Sequence, residues 1–136
     1  MTQAYLNNLT YRIIGCAIEV HKTIGPGLLE SVYERCFEEE LRENQLSYHK
    51  QLSVPVNYKG KCLDAALRLD FLVEEMIIVE LKSVEALHPI YEAQLLTYMQ
   101  LLQKPKGVLI NFNCTNIFKE GQKTRVNELY AALPKE

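Results

Sequence analysis

Two neighbouring stretches of this chain hold the side chains that chemistry would need. Leu63, Ala65, Leu67, Leu69, Phe71 and Val73 alternate with a set that includes Arg68 and Asp70. Ile77, Val79 and Leu81 then alternate with Glu80 and Lys82. Alternation of period two reads as half-buried strands. A hairpin must turn both apolar faces to the same side, because a slip of one residue would send one of them to water. That parity requires an odd-length loop around Glu74, Glu75 and Met76 and brings Asp70 onto the face of Glu80 and Lys82. If the loop is Glu74, Glu75 and Met76 alone, Asp70 sits directly across from Glu80. Two carboxylates and a lysine on one sheet face are the parts of a divalent-metal phosphodiesterase. The carboxylates suit Mg²⁺ or Mn²⁺, hard cations that take oxygen ligands and keep several waters. The ammonium can orient a metal-bound water or stabilise a pentavalent transition state.

These strands need a scaffold, and the remaining periodicities predict one in the order α-α-β-β-β-α-β. Leu6, Leu9, Ile13, Cys16, Ala17, Val20 and Ile24 recur at helical spacing, predicting an amphipathic helix from about residue 5 to 23. Gly25-Pro26-Gly27 breaks it. A second helix is predicted from about 28 to 45, with Leu29, Val32, Tyr33, Cys36, Phe37 and Leu41 inward. Leu52, Val54, Val56 and Tyr58 alternate as a strand that Pro55 marks as an edge or bulged one. Pro89 suits the first turn of a third helix, with Ile90, Tyr91, Leu95, Tyr98, Leu101 and Leu102 apolar. Gly107 to Asn113 reads as a buried strand. Residues 115–126 turn around Gly121, and a short helix is expected between Val126 and Leu133.

Composition bounds the function classes. The 136 residues suffice for one domain, 1–136, with a real core. A hydrophobic fraction of 48% and a charged fraction of 24% describe a soluble globular chain. No apolar run reaches the roughly 20 residues of a membrane span, and the start MTQAYLNN lacks the basic and apolar regions of a signal peptide. Cys16, Cys36, Cys62 and Cys114 form no CxxC pair, so reduced core thiols and a cytoplasmic location are expected. Seventeen acids against fifteen bases give a net charge of −2. A strong nucleic-acid binder usually shows a basic excess, so any basic groove must be local.

Several motifs together carry a resemblance. Gly27-Leu-Leu-Glu30-Ser-Val-Tyr33 matches the signature of the GxxExxY family of the PD-(D/E)xK nuclease-like superfamily. Glu19-Val-His21, Gly25-Pro26-Gly27, Asp70, Val79-Glu80-Leu81-Lys82, Glu92 to Tyr98 and Leu109 to Phe112 extend the likeness over most of the chain. Leu69 stands where the superfamily's name has a proline. The resemblance implies an α/β fold with a restriction-endonuclease-like αβββαβ core, a mixed sheet flanked by helices and an extra N-terminal helix. It implies Glu30 as the helix carboxylate, Asp70 as the first metal ligand and Glu80 with Lys82 as the ExK pair. It also implies a further metal ligand in the Leu81 carbonyl. Gln94 and Tyr98 resemble the QxxxY element of RecB-like and lambda-exonuclease-like nucleases.

Each candidate has a plainer reading beside it. Glu/Lys pairs two residues apart are common on exposed strands, and it is the shared face with Asp70 that singles this pair out. At 100° per residue, Glu30 falls within about 20° of Phe37 and Leu41, where a carboxylate needs a cation or hydrogen-bond donors. It also suits a helix first turn. Gln94 on an apolar stripe needs partners for its amide and is a supporting catalytic candidate that could bond the metal-site carboxylates or a substrate phosphate, whereas Tyr98 on that stripe fits plain core or a substrate contact. Arg68, sharing the metal face, is a candidate phosphate contact. His21 suits a helix C-terminus. Lys59, Lys61, Lys104, Lys106, Lys119, Lys123 and Arg125 would form a basic groove only if they converge on one rim. The expected function is metal-dependent hydrolysis of DNA or RNA phosphodiesters, with homodimerisation as a route to substrate grip. The alternatives are a non-cleaving binding module and a hydrolase of another phosphoester.

Overall fold

The computed structural model describes residues 1–64 and 67–136. Ala65, read above as part of a strand face, lies outside them. Helix α1 (Gln3–Ile24) opens on Thr2, whose side chain accepts the Tyr5 N–H. It buries Leu6, Leu9, Ile13, Cys16, Ala17 and Val20, the stripe its spacing predicts. Helix α2 (Glu30–Glu43) buries Tyr33, Phe37 and Leu41, four residues apart on one face. Leu29 and Val32, expected inward, are exposed, since Leu29 is the N-cap and lies ahead of the first turn.

The described residues form a main sheet of five strands. Strand β1 (Tyr48–Ser53) forms one edge and pairs antiparallel with β4 (Arg68–Val73). Between them, β2 (Val56–Tyr58) and β3 (Lys61–Leu63) make a separate hairpin. The alternation from Leu52 to Tyr58 therefore belongs to two strands rather than one. Val54 N–H still bonds the Leu67 carbonyl at 2.8 Å, but Pro55 has no donor to continue the ladder and the chain leaves the sheet. Leu63 likewise belongs to the small hairpin, and the strand carrying Asp70 begins at Arg68.

Strand β5 (Ile77–Lys82) pairs antiparallel with β4 and parallel with β6 (Lys106–Asn111), and helix α3 (Pro89–Leu101) makes the crossover. Pro89 occupies the first turn of α3 as expected. The far edge is β7 (Gln122–Val126), antiparallel to β6, entered from a π-helical turn over Ile117–Gly121 and followed by the short helix α4 (Glu128–Ala131).

Helices cover both faces of this mixed sheet, as in a restriction-endonuclease-like fold. On one side α1 and α2 pack with Phe71, Val73, Ile77, Val79, Leu81, Val108 and Ile110. On the other, α3 brings Leu95, Tyr98 and Met99 against Leu69, Leu72, Ile78 and Leu109. The central β5 and β6 thus read as near-continuous apolar runs. Gly107 sets the depth of α3: a Cβ there would meet Leu95 Cδ1 at 2.7 Å and Met99 Sδ at 2.9 Å.

Candidate active site

The β4–β5 ladder pairs Phe71 with Val79, Leu72 with Ile78 and Val73 with Ile77. Continued by one residue, this register sets Asp70 across from Glu80, as the loop of Glu74, Glu75 and Met76 requires. Regular pairing stops at that point and the acids take over. The Leu81 N–H donates to Asp70 Oδ2 at 2.7 Å, and the Asp70 N–H donates to Glu80 Oε1 at 3.3 Å. Each strand is bonded by the other's carboxylate.

Side-chain direction also reverses here. Phe71 and Val73 face the α1/α2 side, whereas Leu69 and Leu67, at the same parity, face α3. On β1, Tyr48 faces the α1/α2 side and Leu52 faces α3. The reversal in both strands brackets the Gln51–Asp70 position, where Gln51 has a φ of +54°. Gln51 Nε2 donates to Glu34 Oε1 at 3.0 Å and to Asp70 Oδ1 at 3.3 Å. Arg68 lies between Leu67 and Leu69 and so points away from α3. It is exposed and has no hydrogen bond or ion pair among the described residues.

Glu30 reaches the site from the start of α2. Gly25 and Gly27, with φ of 74° and 91°, form a tight loop after α1. Tyr33, fully buried and stacked on Phe112, fixes that loop: its hydroxyl donates to the Gly25 carbonyl at 2.6 Å and accepts the Leu28 N–H at 3.1 Å. Ser83, just past β5, donates its hydroxyl to the Leu28 carbonyl at 2.6 Å, and its backbone N–H lies near enough to the Glu30 carboxylate to favour its charged form. Gly27, Glu30 and Tyr33 thus each have a task in seating α2 against the end of β5. Desolvation raises the Glu30 pKa, Asp70 and Glu34 raise it further, and Lys82 with the Ser83 N–H opposes them.

Glu80 is only 4% exposed, and burial first, then the negative charge of Asp70, pushes its pKa up to about 9. Lys82 lies close enough to moderate it, yet makes no ion pair among the described residues. Its Nζ sits 4.7 Å from the centroid of the Tyr91 ring. Tyr98 is 4% exposed, and its pKa is raised by desolvation and by the charges of Glu80 and Asp70. Gln94 differs from expectation. It is exposed on α3, one turn before Tyr98, and its amide has no hydrogen bond among the described residues.

Among the described residues, no three His, Cys, Asp or Glu side chains stand close enough to cage a metal ion. The donor set still fits Mg²⁺ or Mn²⁺. Such ions take one or two carboxylates and draw the rest of their shell from water and phosphate. Asp70 and Glu80 are the two carboxylates, and their mutual repulsion is of the kind a divalent cation relieves.

Arg125, Lys106 and Lys59 lie apart. Arg125 pairs with Glu92. Lys106 lies at the other end of β6 from Asn111, the residue beside Lys82, and donates to Asn7 Oδ1 at 2.8 Å. Lys59 is at the tip of the β2–β3 hairpin. His21 donates to the Cys114 carbonyl at 2.8 Å, a structural bond. Residue spacing alone gave no role to Gln51, Glu34, Ser83 or Tyr91. For Glu34 a signal existed, since Glu30 and Glu34 are one helical turn apart.

No curated protein and no solved structure matches the chain at a significant level. A family profile, described as the PD-(D/E)XK nuclease superfamily, matches residues 7–125. Those residues run from the second turn of α1 to β7 and contain every element that meets at Asp70 and Glu80. The chain belongs to the PD-(D/E)XK nuclease superfamily.

Proposed function

We propose that this protein is a metal-dependent nuclease of the GxxExxY kind, one domain over 1–136, hydrolysing phosphodiester bonds of DNA or RNA. The observation that carries this reading is the register that sets Asp70 across from Glu80, with Lys82 on the same face. Asp70 and Glu80, with the Leu81 carbonyl, hold Mg²⁺ or Mn²⁺. When bound, that cation lowers the pKa of a coordinated water and neutralises charge on the phosphate. Lys82 orients the attacking water and stabilises the negative charge gathering on phosphorus oxygens. As the water oxygen–phosphorus bond forms, the water gives up a proton to solvent, the ester P–O bond breaks, and the leaving oxygen takes up a proton from solvent. Glu30 holds the far side of the site through Ser83, and Gln94 and Tyr98 on α3 contact the substrate backbone.

No helix is long and apolar enough to cross a membrane. The four cysteines are free, which suits the reducing cytoplasm. The net charge of −2 and the small size favour a second reading, a binding module that keeps the fold and works with a partner. A homodimer would supply the missing grip if two copies shared one substrate.

The purified protein is incubated with labelled single- and double-stranded DNA and RNA in Mg²⁺ or Mn²⁺, beside Lys82→Ala, Asp70→Asn and a chelator control. Cleavage lost in both variants and with chelator supports the reading. Cleavage surviving in the variants removes this site from it, and a folded protein that cuts nothing favours the binding module.

A further inference from the structure

Gln51 stands inside β1, yet its φ is +54°. Residues with a Cβ are uncommon there, and within a strand the conformation persists only where the surroundings over-determine it. The surroundings here are two carboxylates. Both hydrogens of the Gln51 amide are engaged, one by Glu34 Oε1 at 3.0 Å and one by Asp70 Oδ1 at 3.3 Å. The other Asp70 oxygen holds the Leu81 N–H at 2.7 Å. The plane of the Asp70 carboxylate is therefore fixed from both ends. With an ordinary strand φ at Gln51, the alternation from Tyr48 would carry Leu52 into the α1/α2-side core instead of the α3-side one where it packs.

We infer that Gln51, anchored by Glu34, is a positioning residue that holds the Asp70 carboxylate in the orientation a divalent cation requires. The inference rests on the metal-dependent reading above and deepens it. Gln51 acts through Asp70 and touches neither substrate nor reacting atoms. Partners of a metal-ligating carboxylate matter nearly as much as the ligand, and their loss typically costs roughly 10- to 100-fold in metal affinity.

The test separates backbone relief from positioning. Gln51→Gly accepts the positive φ without strain but has no amide to bridge the carboxylates. Its midpoint of thermal unfolding is expected to hold or rise, while its Mn²⁺ affinity by titration calorimetry falls roughly tenfold or more. The hyperfine spectrum of bound Mn²⁺ is expected to change as Asp70 turns. A second pair guards against loss of fold at a strand position. Glu34→Gln keeps an acceptor for the Gln51 amide, whereas Glu34→Ala removes it, and both delete the same charge. Glu34→Gln is expected to bind Mn²⁺ several-fold more tightly than Glu34→Ala. Equal affinity in these two, or wild-type affinity and spectrum in a folded Gln51→Gly, overturns the inference while the metal reading stands. A wild-type protein that binds no Mn²⁺ overturns both.

Discussion

The Asp70 carboxylate accepts the Leu81 N–H at 2.7 Å, a backbone donor of the very strand that carries Glu80 and Lys82. A side chain thereby takes the place of a ladder carbonyl, and β4 and β5 part at their active end. The parting lies beside two carboxylates in a sheet with helices on both faces. Such a site opposes stability, because it crowds like charges where water is scarce.

Glu80→Gln should therefore stabilise the metal-free protein. The Glu80 pKa rises from an ordinary 4.5 to about 9 in the fold. The folded state then binds the proton more tightly than the unfolded state, so stability is highest below 4.5 and falls as pH rises toward 9. The limiting slope is about 1.4 kcal/mol per pH unit. Urea unfolding at pH 5 and pH 8 should show a larger gain for Glu80→Gln at pH 8, together with weaker Mn²⁺ binding. An equal effect at both pH values would mean that Glu80 is already ionised in the fold at pH 5.

Lys82 rests over Tyr91, 4.7 Å from the ring centroid, and is not drawn onto the carboxylates beside it. A cation over an aromatic face gains about 0.5–2 kcal/mol, enough to bias where the ammonium lies. Tyr91→Phe keeps the ring and should retain activity within about twofold, a difference well under 1.4 kcal/mol. Tyr91→Leu frees Lys82 to pair with Glu30 or Glu80 and should lower kcat roughly tenfold. Matched rates for the two variants would show that the ring does not hold the lysine.

Sequence periodicity revealed the hairpin that makes the site, and the reason is geometric. Asp70, Glu80 and Lys82 share a face because two apolar rows must both be buried, which leaves one register. Three other features were not written in that pattern. Leu52, Val54, Val56 and Tyr58 keep their alternation through Pro55, so period two cannot show where the sheet ends. Strand β7, Gln122–Val126, is a polar edge with too few buried side chains to announce itself. The reversal at Gln51 depends on a backbone angle that glutamine does not advertise.

Tyr33 ties the Gly25–Gly27 loop to the start of α2. Tyr33→Phe keeps the stack on Phe112 but leaves the Gly25 carbonyl and the Leu28 N–H without the hydroxyl they share. Unpairing such groups costs about 1–3 kcal/mol, measurable by urea unfolding. Because Leu28 also receives the Ser83 hydroxyl, the loosened loop should release Glu30 and lower kcat several-fold. Mn²⁺ affinity should hold within about twofold, since Asp70 and Glu80 are untouched. A parallel loss of metal binding would assign Glu30 to the metal's own ligands.

Lys106 tests whether any lysine beyond the site matters to substrate. It is 5% exposed, bonded to Asn7 and 5.4 Å from the Tyr130 ring centroid, at the end of β6 remote from Lys82. Burial lowers its pKa from 10.5. Between the folded value and 10.5 the folded state binds fewer protons than the unfolded one, so this group adds stability as pH rises through that window. Lys106→Met keeps the stem's packing and removes the buried charge, so it should raise stability at pH 7 by about 1 kcal/mol and flatten the alkaline slope. Cleavage and its salt dependence should match wild type. A lower salt slope in the variant would place a phosphate at this end of the sheet, because each lysine–phosphate contact adds close to one unit to that slope, and the substrate would then have to span the whole length of β6.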